Sequence, residues 1–228
     1  MITVNILTRV FNIRYNDASG TAFTLDINNR QYLITAKHII ENITYNDTIE
    51  IFHDEKWNSV NTKLVGHCEG IIDISALTLE YAISPRKFIV EAKNDGLIVG
   101  QDVYFLGFPY GLSGTHPSPF KNFPTAFIKK ATLSAAYFNY NGIDILFLDG
   151  INNPGFSGGP VIFSLPQKYD YKVAAVISGY RTSEEPIYKE NYNSEYYYKS
   201  NTGIIISYGI DHIKKVINKN QIGVILEA

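Results

Sequence analysis

"NPGFSGGPVI", residues 153–162, sets one serine among three glycines and a proline, then runs straight into an apolar strand. Glycine tolerates positive φ and the close approach of other atoms, and proline fixes its own φ, so the loop is built for an unusual backbone shape. If Gly155, Phe156 and Ser157 form a tight turn, the N–H groups of Gly155 and Ser157 converge beside the Ser157 hydroxyl, as an oxyanion hole requires. A glycine-rich hairpin turn with a surface serine is the plainer reading of the same residues. A hydroxyl is a poor nucleophile at neutral pH, so the chemical reading demands a histidine to take its proton and a group to orient that histidine.

Five histidines are available: His38, His53, His67, His116 and His212. "YLITAKHII", residues 32–40, puts His38 just after an apolar strand and at the start of a helical turn, a fixed position from which its ring can project. His53 and His67 lie in or near strands with polar neighbours, His116 in a Gly/Pro loop, and His212 on the last helix. Their spacing makes no metal set, and a single cysteine argues against a structural zinc site. For the orienter, "GIIDISALTL", residues 70–79, carries Asp73 inside an apolar stretch, where a carboxylate must be paired or hydrogen-bonded. Two partners are open to it: the Nδ1–H of a histidine, or the backbone N–H groups of a turn after Gly70. Cys68 beside His67 is a rival nucleophile on paper, but strand neighbours face opposite ways, so it reads as a half-buried structural thiol.

Outward from these residues, the chain is a succession of short runs such as "TAFTLDI", "QYLITA", "VYFLGF", "ILFLDG" and "PVIFSL". They are rich in Ile, Val, Phe, Tyr and Thr and separated by Gly, Asn, Asp or Pro. Such a pattern predicts an all-β barrel or sandwich. "NNR", residues 28–30, reads as a hairpin turn. "KHIIENI", residues 37–43, has room for one or two helical turns. The clearest helix is "GIDHIKKVINK", where Ile210, Ile213, Val216 and Ile217 recur at helical spacing. A division is expected within 84–100, giving an N-terminal unit of residues 1–95 and a C-terminal unit of 96–228. The stretch 181–202, polar, charged and tyrosine-rich, reads as a long exposed loop, either a solvated insertion or a substrate contact.

The 228 residues are 45% hydrophobic and 18% charged, with 17 Tyr and 13 Phe, which is the composition of a folded, strand-rich chain. A net charge of −2 gives no electrostatic reason to expect nucleic acid or an anionic membrane as partner. The N-terminal stretch lacks the pattern of a signal peptide, and no apolar run reaches about 18 residues, so no membrane span is expected. One cysteine and no leader suit a cytoplasmic location, and the sequons at Asn42 and Asn46 carry weight only for a secreted chain.

His38, Asp73 and Ser157 stand in the order of one known triad. At this point the chain resembles the trypsin-like serine peptidases of the two-barrel chymotrypsin fold. "ITAKHI" (34–39) is similar to their histidine motif, "DISAL" (73–77) to their aspartate motif and "GFSGGPV" (155–161) to their nucleophile motif. "GTAFTL" (20–25), "LGFPYG" (106–111) and "TGIIISYGIDHI" (202–213) extend the likeness over residues 18–213. It is nearest the bacterial branch that includes the high-temperature-requirement proteases, though no PDZ-like segment follows.

The resemblance implies two six-stranded antiparallel β-barrels with a short C-terminal helix, and a serine endopeptidase without a cofactor, acting on protein or peptide. His38 would be base and then acid, Asp73 its orienter, Ser157 the acylated nucleophile, and the N–H groups of Gly155 and Ser157 the oxyanion hole. Phe156 stands where digestive members have an aspartate that pairs with a newly cleaved N-terminus, so that activation cannot operate here. By family register Ile151 lies near the pocket floor, with Phe156, Ser178, Gly179 and Tyr180 also placed at the substrate, implying a neutral or apolar residue at the cleaved position. Two other readings stay open: a protease-fold module that binds a regulatory protein partner, and acyl transfer to or from a small ester. The strand after Ser157 counts against an α/β-hydrolase elbow.

Overall fold

Two-residue turns with both residues at positive φ give strands the twist that closes a hairpin, and asparagine is among the few side chains that tolerate this conformation. Asn28 and Asn29 have φ of 53° and 57°, and Asn141 and Gly142 have φ of 51° and 79°. These pairs close two antiparallel hairpins, within residues 18–35 and 127–149, in the computed structural model, which describes residues 2–86, 89–115, 123–165, 170–189 and 192–226. After a short helix α1 (Val4–Leu7), the chain forms β1 (Val10–Tyr15), β2 (Ala18–Ile27), β3 (Arg30–Thr35), β4 (Asn46–His53), β5 (Lys56–His67) and β6 (Ser75–Leu79). These six strands close on themselves in the order β3-β2-β1-β4-β5-β6, with β6 returning to β3.

The second half begins with β7 (Glu91–Ala92) and β8 (Asp102–Gly107), followed by a small ladder of β9 (Gly114–Thr115) and β10 (Pro124–Thr125). Then come β11 (Phe127–Tyr140), β12 (Ile143–Asp149), β13 (Pro160–Ser164), β14 (Tyr171–Lys189), β15 (Tyr192–Gly209), helix α2 (Asp211–Lys219) and β16 (Val224–Ile225). The order β13-β8-β11-β12-β15-β14 also closes, through β13–β14 pairing. The all-β architecture of two six-stranded antiparallel barrels and a short C-terminal helix is therefore present. The expected boundary at 95/96 is crossed by two small strands, since β7 adds to β14 in the second sheet and β16 adds to β3 in the first.

Alternation along the strands sorts side chains into three cores. Phe11, Ile13, Ala22, Leu33, Ile49 and Leu77 fill the first barrel. Val103, Phe105, Leu133, Leu146, Val161 and Ile177 fill the second. The opposite faces of the same strands, with Phe23, Tyr32 and Ile34 from one barrel and Leu106, Phe108 and Ile162 from the other, form a third core between them, to which α2 adds Ile213 and Ile217. Burial on both faces explains why these runs read as continuous apolar stretches.

The stretch 181–202 is not a loop. Its described residues continue β14 and β15 as a hairpin beyond the barrel, from Thr182↔Asn201 to Lys189↔Tyr192. The segment at 37–43 makes one 3-10 turn, Lys37–Ile39. His116 lies outside the described residues.

Candidate active site

The buried residues Ala36, Ile39 and Ile40 anchor the turn that follows β3 to the first core, which leaves His38 facing outward with its side chain 49% exposed. Asp73 sits between buried Ile72 and Ile74, its side chain 16% exposed. Its Oδ1 accepts the His38 backbone N–H at 2.9 Å, and its Oδ2 lies 2.7 Å from His38 Nδ1. Two contacts from one residue fix both the place and the tilt of the imidazole, and a carboxylate there holds the proton on Nδ1 and leaves Nε2 free to accept. The hydrogen bond to Asp73 raises the His38 pKa, against the opposing effect of burial. Burial works to raise the Asp73 pKa, but hydrogen bonds from His38 and Ser178 outweigh it and keep the carboxyl below its ordinary value.

Ser157 comes from the other barrel, on the turn between β12 and β13. Gly155 has φ of +103°, and a Cβ there would strike the carbonyl of Phe108; Gly158, at φ +83°, would strike the carbonyl of Thr21. Both positions therefore require glycine, which accounts for the composition of the loop. A trans peptide points its N–H opposite to its C=O, so a held carbonyl aims the N–H on the far side. The Pro154 carbonyl accepts the Tyr110 N–H at 2.8 Å and the Phe156 carbonyl accepts the Gly159 N–H at 2.9 Å. Those two bonds orient the N–H groups of Gly155 and Ser157, neither of which has a protein acceptor among the described residues. Thr21 ties the turn to the first barrel, its hydroxyl donating to the Gly155 carbonyl at 2.6 Å and its N–H to the Ser157 carbonyl at 2.8 Å.

The Ser157 hydroxyl donates to the Ser178 carbonyl at 3.0 Å, and the Ser178 hydroxyl donates to Asp73 Oδ2 at 2.6 Å. One strand residue thus links the Ser157 and the His38–Asp73 sides of the site, and no hydrogen bond joins Ser157 to His38 directly among the described residues. The sequence reading placed Ser178 against substrate and missed its hydroxyl's bond to Asp73, since nothing in the sequence pairs two residues 105 positions apart.

Gly179 and Tyr180 follow on β14, and a Cβ added at Gly179 would meet nothing within 4 Å. Ile151 is 53% exposed on the approach to the serine turn, its Cδ1 3.9 Å from where a Gly203 Cβ would stand. Phe156 departs from expectation: its ring is fully buried, 5.0 Å edge-on from Phe105, because its place in the turn points it into the second core. It supports the turn from beneath and is not available to substrate.

Lys129, unlike Ser178, carries no signal in the sequence that would single it out. Its ammonium donates to the Ile151 carbonyl at 2.6 Å and to Asn153 Oδ1 at 2.7 Å, and lies 5.4 Å from the Phe156 ring centroid. Burial lowers its pKa. Cys68 is buried and its thiol is pushed up to about 12 by that burial, which leaves it no thiolate at neutral pH. Neighbouring His67 is occupied by the Ser75 hydroxyl at 2.6 Å. Among the described residues no group of three His, Cys, Asp or Glu is placed to hold a metal ion, and no helix is long and apolar enough to cross a membrane.

Residues 19–164 match the family model of the trypsin-like peptidase domain. By sequence, no curated protein matches. Among solved structures, a mutant Rv3671c from M. tuberculosis H37Rv in an inactive form is similar at TM-score 0.60 and 15% identity, over 95% of this chain and 88% of that one. The HtrA-type protease AlgW with a tripeptide is similar at TM-score 0.60 and 18% identity, over 94% of this chain and 60% of that one. The serine endoprotease from Yersinia pestis is similar at TM-score 0.60 and 17% identity, over 94% of this chain and 63% of that one.

Proposed function

Because the chain belongs to the trypsin-like peptidase family, and is thus a serine protease acting on peptide or protein substrates, we propose that it is an endopeptidase working through an acyl-enzyme on Ser157. The observation that carries this reading is the run of hydrogen bonds from Ser157 through Ser178 to Asp73 and His38, which gathers residues from both barrels at one point. A peptide laid on β14 beside Ser178 brings an N–H to the Ser178 carbonyl. That N–H competes with the Ser157 hydroxyl for the acceptor, and the released hydroxyl turns to His38 Nε2. His38 takes its proton as Ser157 Oγ bonds to the scissile carbonyl carbon, and the resulting oxyanion is received by the N–H groups of Gly155 and Ser157. His38 then protonates the departing amine, and water, activated by the same imidazole, releases the acid and restores the serine.

The exposed Ile151 and the nearby Lys129 ammonium, facing no carboxylate among the described residues, support a neutral or apolar residue at the cleaved position and disfavour lysine or arginine there. Lys129 acts as a positioning residue: by holding Ile151 and Asn153 it fixes the segment that leads into Gly155.

A fluorophosphonate probe should label the protein, and Ser157→Ala and His38→Ala should each abolish labelling. A peptide panel should then show cleavage after neutral or apolar residues; a strong preference for lysine or arginine would overturn the pocket assignment. The Ser157 hydroxyl's bond to Ser178 in place of His38 favours one second reading, a protease-fold module that recognises a partner and is catalytically silent without it. Absence of labelling in well-folded protein would select it.

A further inference from the structure

A sheet edge is a row of backbone N–H and C=O groups open to another extended chain. Whether it suits a copy of itself depends on which residues a two-fold axis sets face to face. On one side β15 is paired with β14 along its length, from Tyr192 to Gly209; on the other it meets β12 only from Ile204 to Tyr208. The outer edge of β15 from Tyr192 to Ser200 therefore has no strand beside it among the described residues. Asn201, whose amide donates to the Asn152 carbonyl at 2.7 Å, ends this open stretch.

The sequence of that edge is its own mirror image. "NSEYYYKSN", residues 193–201, reads alike in both directions about Tyr197, save that Glu195 is mirrored by Lys199. Antiparallel pairing of two such edges about Tyr197 sets Ser194 opposite Ser200, Glu195 opposite Lys199, Tyr196 opposite Tyr198, and Tyr197 opposite itself. Opposite charges and aromatic residues directly across from one another are favourable cross-strand pairs, and like charges are not. Slipping the register by one residue loses both charge pairs, so the pattern specifies one alignment. The β14 edge of the same hairpin is unsuited to this, because a two-fold axis at Glu184 and Glu185 opposes carboxylates and Pro186 brings no N–H.

We infer that two copies of the chain join through the outer edge of β15, residues 194–200, antiparallel about Tyr197, so that two hairpins become one four-stranded sheet. The inference stands apart from the protease reading, and the join uses β15 and not β14, the strand that carries Ser178. Glu195 and Lys199 are exposed, and Tyr196, Tyr197 and Tyr198 are 74%, 61% and 54% exposed. Within each hairpin Lys199 lies opposite Glu184, and in the joined sheet Glu195 of the other copy takes its far side, so charges alternate along that row. A two-stranded ribbon is marginal in water and gains from added strands. Pairing over 194–200 exchanges about six to eight backbone hydrogen bonds, since alternate residue pairs exchange two each.

The test is sedimentation of the full chain carrying Ser157→Ala, so that self-cleavage does not intrude, from low micromolar to near millimolar concentration. A concentration-dependent dimer is expected. Lys199→Glu or Glu195→Lys alone sets like charges face to face at two places and should weaken it about tenfold or more. Mixed in equal amounts the two variants should recover the dimer, because every Glu then meets a Lys, and the double variant should recover it alone. Tyr197→Cys lies on the axis, where opposed Cα atoms stand about 4.5–5.5 Å apart, within disulfide reach, so mild oxidation should cross-link it. The native Cys68 is buried. A monomer at every concentration, a dimer indifferent to the charge reversals, no recovery on mixing, or no cross-link at position 197 would each overturn the inference. None of these readouts depends on whether Ser157 of the unaltered chain labels with a fluorophosphonate.

Discussion

At His38 the chemistry depends on which of two protonation states predominates. To act as the proposed general base His38 must be neutral, and the bond to Asp73 raises its pKa above the ordinary 6.5. The acid limb of kcat/KM should therefore lie above 6.5, and Asp73→Asn should move it down in pH while cutting kcat by about 10⁴, the scale set by the same change in a well-studied triad. The pair also affects folding. The histidine part of the stability is full below pH 6.5 and is lost as pH rises through the raised value; the aspartate part is full above 3.8 and is lost as pH falls through the depressed one. Ser178→Ala removes a charge-assisted bond and should slow acylation about 10- to 100-fold. Lys129→Met should lower kcat and leave KM nearly unchanged, because it loosens the turn that meets the transition state without touching the substrate. The three positions of the proposed triad stood out in the sequence because each breaks its local pattern: a serine among glycines, a histidine ending an apolar strand, a carboxylate amid isoleucines. Lys129 breaks none, and only folding brings it to the site; the resemblance placed Ser178 there, but only folding reveals its bond to Asp73.

Strands with two buried faces were legible from their apolar runs, and so were α2, from its spacing, and the Asn28–Asn29 turn, from its residues. Replacing Asn29 by valine should cost about 1–2 kcal/mol, read as a Tm a few degrees lower, whereas Asn29→Gly should cost nothing, since only the first forces a branched side chain to positive φ. The hairpin of β14 and β15 was misread for a physical reason. A ribbon exposed on both faces has no inside, so its sequence carries no alternation to detect, and "TSEEPIYKENYNSEYYYKSN" looks like any solvated segment. Gly155→Ala tests an element of the opposite kind, fully specified by its surroundings. The added methyl would meet the Phe108 carbonyl, so the turn must shift and probe labelling should slow about 10²- to 10³-fold, the loss typical of one oxyanion donor.

Across the whole molecule, long-range ties bind the linker to the first barrel and the first barrel to the second. Arg9 and Asp26 form a buried ion pair at 2.8 Å, with exposures of 3% and 2%, and Arg9 also donates to the Pro85 carbonyl at 2.6 Å. Arg9→Met would strand the aspartate in the core, and urea unfolding should show a loss of about 3–5 kcal/mol. None of this was visible in the sequence, where Arg9 reads as an ordinary charge near the N-terminus. Thr21 makes the closest of these ties, because its single residue position holds the Gly155 and Ser157 carbonyls and receives the Phe108 N–H at 3.1 Å. The turn that carries Ser157 is thus shaped from one barrel and built from the other. Expressed as two polypeptides parted in the linker before β7, the halves should each be silent toward a fluorophosphonate and regain labelling on mixing, at a level set by whichever piece is scarcer. The protein is in that sense a ready-made complementation reporter, in which a covalent mark on one fragment certifies that the other has arrived.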